Sequence, residues 1–116
     1  MKYEESRLQI ACVRWFRYQY QDIERLFFAV PNGGQRNKVT GKILKDEGVR
    51  AGVADLILQI PRKGFSSLSI EMKTEDGRQS VEQKKYQEAL EKNGGKYVVC
   101  RSFEEFVSII KDYLAC

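Results

Sequence analysis

One stretch constrains the fold more than any other part of the chain: Asp55-Leu-Ile-Leu-Gln-Ile60, then Pro61-Arg-Lys-Gly64, then Ser67-Leu-Ser-Ile-Glu-Met-Lys73. The first segment is apolar on both sides of a two-residue repeat, as a central strand is. The last alternates strictly, with Leu68, Ile70 and Met72 facing one way and Ser67, Ser69, Glu71 and Lys73 the other. Proline, two cations and glycine between them make a turn. The two strands therefore form an antiparallel hairpin whose pairing can be read from the numbering. With the turn centred near Lys63-Gly64, residues whose numbers sum to about 126 or 127 stand opposite each other, which sets Asp55 across from Glu71. Opposed residues project to the same face with Cβ atoms about 5 Å apart. Lys73 leaves that face roughly 7 Å further along the strand. Two carboxylates and an ammonium thus converge at one end of a largely apolar hairpin.

The flanking segments read as helices and two further strands. From Glu4 to Tyr20, the positions Leu8, Cys12, Trp15 and Phe16, with Ala11 beside them, recur at helical spacing and predict an amphipathic helix. Leu26 to Val30 is a short strand ended by Pro31-Asn-Gly-Gly34. Lys38 to Glu47, with Val39, Ile43 and Leu44 on one side and Gly48 as its stop, predicts a short helix. Ser80-Val-Glu-Gln83 is a capping box that opens a helix running to about Asn93, where Gly94-Gly95 ends it. Lys96 to Cys100 is a fourth strand, and Ser102-Phe-Glu-Glu105 is a second capping box, opening a last helix to about Leu114. The order α-β-(α)-β-β-α-β-α, without linker or repeat, predicts an α/β fold. A mixed sheet flanked by helices would form one domain over residues 1–116.

Composition removes most alternative chemistries. The chain has no histidine, so Ser-His and Cys-His nucleophile pairs, His-ligated zinc and an imidazole base are all excluded. Its three cysteines, Cys12, Cys100 and Cys116, are odd in number and lack Cys-x-x-Cys spacing, so they are expected to be reduced and mostly buried. No apolar run approaches a membrane span and the start of the chain is not signal-like, which predicts a cytoplasmic protein. The net charge of +4 suits a nucleic-acid partner. Arg36, Lys38, Lys42, Lys45 and Arg50 face only Asp46 and Glu47 between Gly34 and Gly52, either as a solvated helix face or as phosphate contacts.

The Asp55, Glu71 and Lys73 cluster has two readings. Opposed carboxylates repel, so a cation must sit between them. Lys73 alone would make a structural polar cluster at a sheet edge. Alternatively the two acids hold a divalent metal, with Lys73 beside it facing an anion; hard oxygen donors without His or Cys select Mg²⁺ or Mn²⁺ over zinc. Such a metal lowers the pKa of bound water and stabilises charge on a phosphoryl oxygen.

Asp55 with Glu71-Met72-Lys73 on a hairpin resembles the PD-(D/E)xK nuclease core, of restriction-endonuclease-like fold. Further matches are Pro31-Asn-Gly-Gly-x-Arg36, Leu44-Lys45-x-x-Gly48, Gly52-Val-Ala-Asp55-Leu, Ile70-Glu-Met-Lys73, Gly77-x-x-Ser80-x-x-Gln83 and Gly94-Gly95. Together they resemble the virus-type replication-repair nuclease domain, VRR-NUC, in order and over nearly the whole chain, which implies its stand-alone form. The resemblance implies Asp55, Glu71 and the Met72 backbone carbonyl as metal ligands and Lys73 as the catalytic lysine. It also implies a first-helix glutamate, best matched by Glu5, with Glu4 as the alternative; an acid there also complements the helix N-terminus. Gln9, one turn later, either reaches the site or is solvated. Gln83 matches the family's glutamine after the core, although its capping box with Ser80 explains it equally well. Ala54 stands where the family usually has proline, a change in backbone rigidity rather than chemistry.

By this resemblance the chain would be a Mg²⁺-dependent endonuclease of branched, Holliday-junction-like DNA, with Mn²⁺ able to substitute and no organic cofactor. It would serve replication, recombination or repair as a homodimer, plausibly of a phage or prophage. Arg36, Lys38, Lys45 and Gln9 are the candidate DNA contacts. The alternative is a non-catalytic module of the same fold that binds structured DNA.

Overall fold

The hairpin forms where its pattern places it. In the computed structural model, which describes residues 3–31 and 38–115 and, in the second segment, side chains from 41 onward, β2 (Leu56–Leu58) and β3 (Leu68–Met72) pair antiparallel. Leu56 stands opposite Ile70, Ile57 opposite Ser69 and Leu58 opposite Leu68, the register expected from the turn. Arg62 and Phe65 close that turn around Lys63 at φ 52° and Gly64 at φ 85°. Two successive left-handed residues match the right-handed twist of a hairpin.

β1 (Phe27–Ala29) adds antiparallel to β2, and β4 (Lys96–Cys100) adds parallel to β3, in the order β1-β2-β3-β4. β3 is therefore interior and buried at all five positions. The acid cluster is not at a sheet edge, and the alternating face read as polar is covered rather than solvated. Helices α1 (Tyr3–Gln19), α3 (Val81–Lys92) and α4 (Phe103–Leu114) flank the sheet, while the described side chains of α2 (Lys38–Asp46), the helix between β1 and β2, are exposed or half-buried; the fold is mixed α/β with a four-stranded mixed sheet.

One face carries the core. Cys12 and Phe16 of α1 and Phe106, Ile110 and Tyr113 of α4, at helical spacing, join Phe27, Leu56, Leu58, Leu68, Ile70, Met72 and Cys100 from the strands. Phe16 stacks on Phe27 with ring centroids 4.1 Å apart. Each such large side chain removed from water contributes about 1.5–3 kcal/mol. Cys12 and Cys100 are buried free thiols, pushed up to about 12 and about 11 chiefly by burial, so neither is a reactive thiolate. Cys116 lies outside the described residues.

α3 crosses between the parallel strands β3 and β4 and covers the opposite face. Its start is the expected capping box: Ser80 Oγ accepts from the Gln83 N–H and Gln83 Oε1 accepts from the Ser80 N–H. Gly94, at φ 93°, ends it, with the Gly94 and Gly95 N–H groups donating to the Glu91 and Leu90 carbonyls. Gly48 ends α2 in the same way, the Gly48 and Val49 N–H groups reaching the Lys45 and Leu44 carbonyls.

Three details differ from the sequence reading. A 3₁₀ helix, Gln21–Leu26, fills the approach to β1 and takes Leu26 out of the strand. Ala11, read on the apolar stripe of α1, is exposed. At α4 only half the capping box forms: Ser102 Oγ accepts from the Glu105 N–H, but Glu105 Oε1 accepts from the Arg101 N–H, one residue before the cap.

Candidate active site

The site is built on β2, β3 and the first turn of α3. Asp55 enters β2 from a loop whose path depends on Gly52, at φ 84°. A Cβ there would lie 2.6–2.8 Å from the backbone carbonyl and Cβ of Glu82, so glycine is required both for its conformation and for close approach to α3. The Asp55 carbonyl accepts from the Val30 N–H at 2.9 Å, extending the β1–β2 ladder by one bond. Its carboxylate Oδ2 accepts from the Met72 N–H at 2.7 Å. This carboxylate is 7% exposed, and the bond sets it beside the Met72 peptide.

Glu71 projects from the neighbouring strand and is 2% exposed. Its Oε2 accepts from Gln83 Nε2 at 2.7 Å, and Lys73 Nζ lies 3.8 Å from the same oxygen. Its Oε1 accepts from the Tyr97 hydroxyl at 3.2 Å. Burial, and after it the charge of Asp55, push the Glu71 carboxyl up to about 8, against the opposing pull of Lys73 and Tyr97. The negative charges at this spot are under-compensated by the protein's own cation.

Gln83 does both things its position allowed. Its Oε1 completes the capping box and its Nε2 is thereby turned to Glu71, so the helix cap also fixes the direction of the donor. Lys73 is largely buried and walled by the loop that follows β3: a Cβ on Gly77 would lie 3.3 Å from Lys73 Cδ. Arg101 holds that loop, with one guanidinium nitrogen donating to the Thr74, Glu75 and Gly77 carbonyls at 2.8, 3.2 and 2.7 Å.

The structure thus brings together Asp55, Glu71, Lys73 and Gln83. Among the described residues no three carboxylates, cysteines or histidines come together in a way that could hold a metal ion, so Glu5 is not gathered with Asp55 and Glu71. Glu5 is half-buried in the first turn of α1, and Glu4 is exposed. Gln9 lines a groove of about 220 Å³ along α1 with Ser6, Arg14 and Arg17, and its Oε1 is buried without a hydrogen-bond partner among the described residues. Lys45 is exposed in the last turn of α2. Lys38 opens that helix, its side chain outside the described set, and Arg36 and the Asn32-Gly33-Gly34 loop lie outside the described residues altogether. No helix among the described residues is long and apolar enough to cross a membrane.

Tyr97, Gln79 and Arg101 escaped sequence reasoning. The one available signal was the parallel register of β4, which sets Tyr97 opposite Ser69, two residues from Glu71. That register follows from where the crossover helix lands and not from any local pattern.

The donor set suits a hard divalent cation. Two buried carboxylates, one of them raised first by burial and then by the charge of the other, are hard oxygen donors of the kind that Mg²⁺ or Mn²⁺ takes, and the chain has no imidazole to compete. The model for the VRR-NUC domain matches residues 3–104. The chain belongs to the VRR-NUC family. That is a family of nucleases, so its function is of the nuclease type, in DNA processing. A solved structure described as a VRR_NUC domain protein superposes with a TM-score of 0.84 at 25% identity, covering 98% of this chain and 90% of that one. No curated protein matches it in sequence.

Proposed function

We propose that this VRR-NUC chain is a divalent-metal-dependent endonuclease that hydrolyses phosphodiester bonds in branched or otherwise structured DNA, during replication, recombination or repair. The observation that carries the reading is the buried Asp55–Glu71 pair with Lys73 Nζ 3.8 Å from Glu71 Oε2. Asp55 and Glu71 would hold Mg²⁺ or Mn²⁺, with the Met72 carbonyl as the further donor implied by the family; Glu5, which the family also implies, would first have to move toward them, because it does not sit with them here. When bound, the ion supplies Lewis-acid polarisation of the phosphoryl group and a water of lowered pKa.

The chain's own residues do the rest. The Met72 N–H holds Asp55 in one orientation, and Gln83 holds Glu71, so neither carboxylate must reorganise when a cation arrives. Lys73, kept largely out of water and 3.8 Å from Glu71 Oε2, meets the charge that grows on the non-bridging phosphate oxygens as the P–O bond breaks. Lys45, with Arg36 and Lys38, would contact the DNA backbone. A homodimer in the cytoplasm of a bacterium or phage-infected cell fits a chain of 116 residues acting on a junction.

The test is incubation of purified protein with a labelled four-way junction, a flap and a linear duplex in Mg²⁺, Mn²⁺ or EDTA, with the solution mass measured alongside. Cleavage of branched DNA that requires the metal is expected. DNA that is retarded but uncut in Mn²⁺ would instead support a binding module without catalysis.

A further inference from the structure

Behind Glu71, away from Asp55, lies a chain of buried and half-buried polar groups that the proposed reaction does not use. Tyr97 is 6% exposed and points its hydroxyl at Glu71 Oε1. The same hydroxyl receives Gln79 Nε2 at 3.2 Å, and Gln79 Nε2 also donates to Gln87 Oε1 at 2.9 Å. Donor counting fixes the polarity of this chain. An amide nitrogen only donates, so the Tyr97 oxygen is the acceptor toward Gln79 and its single hydrogen goes to Glu71. Packing alone would need only a phenyl ring here, and a buried hydroxyl without partners would destabilise the fold.

Both oxygens of Glu71 are therefore held from the start of α3. Gln83 grips Oε2 directly, and Gln79, one residue before the Ser80 cap, grips Oε1 through Tyr97. The Tyr97 ring is braced edge-on by Tyr86 at 6.1 Å, whose own hydroxyl turns to Ser69 at 3.4 Å and not to Glu71.

We propose that Tyr97 and Gln79 are positioning residues of the nuclease site: the Gln79-to-Tyr97-to-Glu71 relay holds the Glu71 carboxylate in the orientation that receives the divalent cation. The inference rests on the reading of Asp55 and Glu71 as metal ligands. Partners that orient a metal-ligating group are generally worth about 10–100-fold in metal affinity.

The test is Mn²⁺ binding in the absence of DNA, by calorimetry on the full chain, for wild type, Tyr97→Phe, Gln79→Leu and Tyr86→Phe. Each variant is also melted in EDTA and assayed for cleavage across Mn²⁺ concentrations. The relay predicts that Tyr97→Phe binds Mn²⁺ about 10–100-fold more weakly, that Gln79→Leu shifts in the same direction, and that high Mn²⁺ restores cleavage in both. Tyr86→Phe should bind as wild type. Should Tyr97→Phe fail to fold, Gln79→Leu decides the matter. Wild-type affinity in both Tyr97→Phe and Gln79→Leu overturns the inference, as does an equal loss in Tyr86→Phe. A wild-type protein that binds no Mn²⁺ overturns the metal-site reading beneath it, and the two failures are thereby distinct.

Discussion

Replacing Glu71 with glutamine should remove a pH dependence of stability that this chain is unusually well suited to display. In EDTA the folded protein raises the Glu71 carboxyl to about 8 from an ordinary 4.5, first through burial and then through Asp55. The folded state therefore keeps a proton that the unfolded chain gives up between those values. Its contribution to stability is fully present below about pH 4.5 and is lost as pH rises through about 8. The gap of about 3.5 units, at about 1.4 kcal/mol per unit, sets a ceiling of about 5 kcal/mol. A typical domain has only about 5–15 kcal/mol in total. Because the chain has no histidine, the side-chain type that ordinarily titrates in this window is absent. Urea unfolding at pH 5, 6, 7 and 8 in EDTA should show the wild-type midpoint falling across the series. Glu71→Gln, whose single amide oxygen can still accept from Gln83 or from Tyr97 though not from both, should stay nearly level. Parallel curves for the two proteins would refute the claim that this buried carboxyl opposes its own ionisation.

Three further substitutions separate site from scaffold. The helix starts at Ser80 and Ser102 look alike in sequence, yet only the first carries a residue that touches Glu71. Gln83→Ala should weaken Mn²⁺ binding and cleavage about 10–100-fold. Ser102→Ala should lower stability by about 1 kcal/mol with cleavage unchanged, as unfolding curves and cleavage rates together would show. Gly52→Ala meets the Glu82 backbone at 2.6 Å in a left-handed conformation, a strain of at least about 1–2 kcal/mol. It should lower the melting temperature and also Mn²⁺ affinity, because the same loop delivers Asp55; a wild-type melting curve would count against the close approach.

The hairpin was legible because its information is local. Alternation in Ser67–Lys73 and the turn at Lys63-Gly64 determine register, and register determines that Asp55 and Glu71 share a face. Capping residues at Ser80 and Ser102 and the glycines at 48 and 94 marked helix ends for the same reason. The 3₁₀ turn before β1 was not legible, since Gln21–Leu26 has no periodicity to read. Tyr97 and Arg101 were missed because their partners lie 26 and 24–27 residues away, across a parallel pairing and a loop. Gln83 was ambiguous for a physical reason: one amide makes two bonds, with its oxygen in the cap and its nitrogen on Glu71.

The central claim is that Asp55 and Glu71 serve a divalent cation in DNA cleavage, and Asp55→Asn tests it with little disturbance. Asparagine keeps an oxygen to accept from the Met72 N–H while the negative charge is removed. The measurement is the rate of Mn²⁺-dependent cleavage of the preferred DNA by this variant beside wild type, each shown by its unfolding curve to be native. The account predicts native unfolding and cleavage reduced at least about 100-fold. A folded Asp55→Asn protein that cuts at the wild-type rate would contradict it.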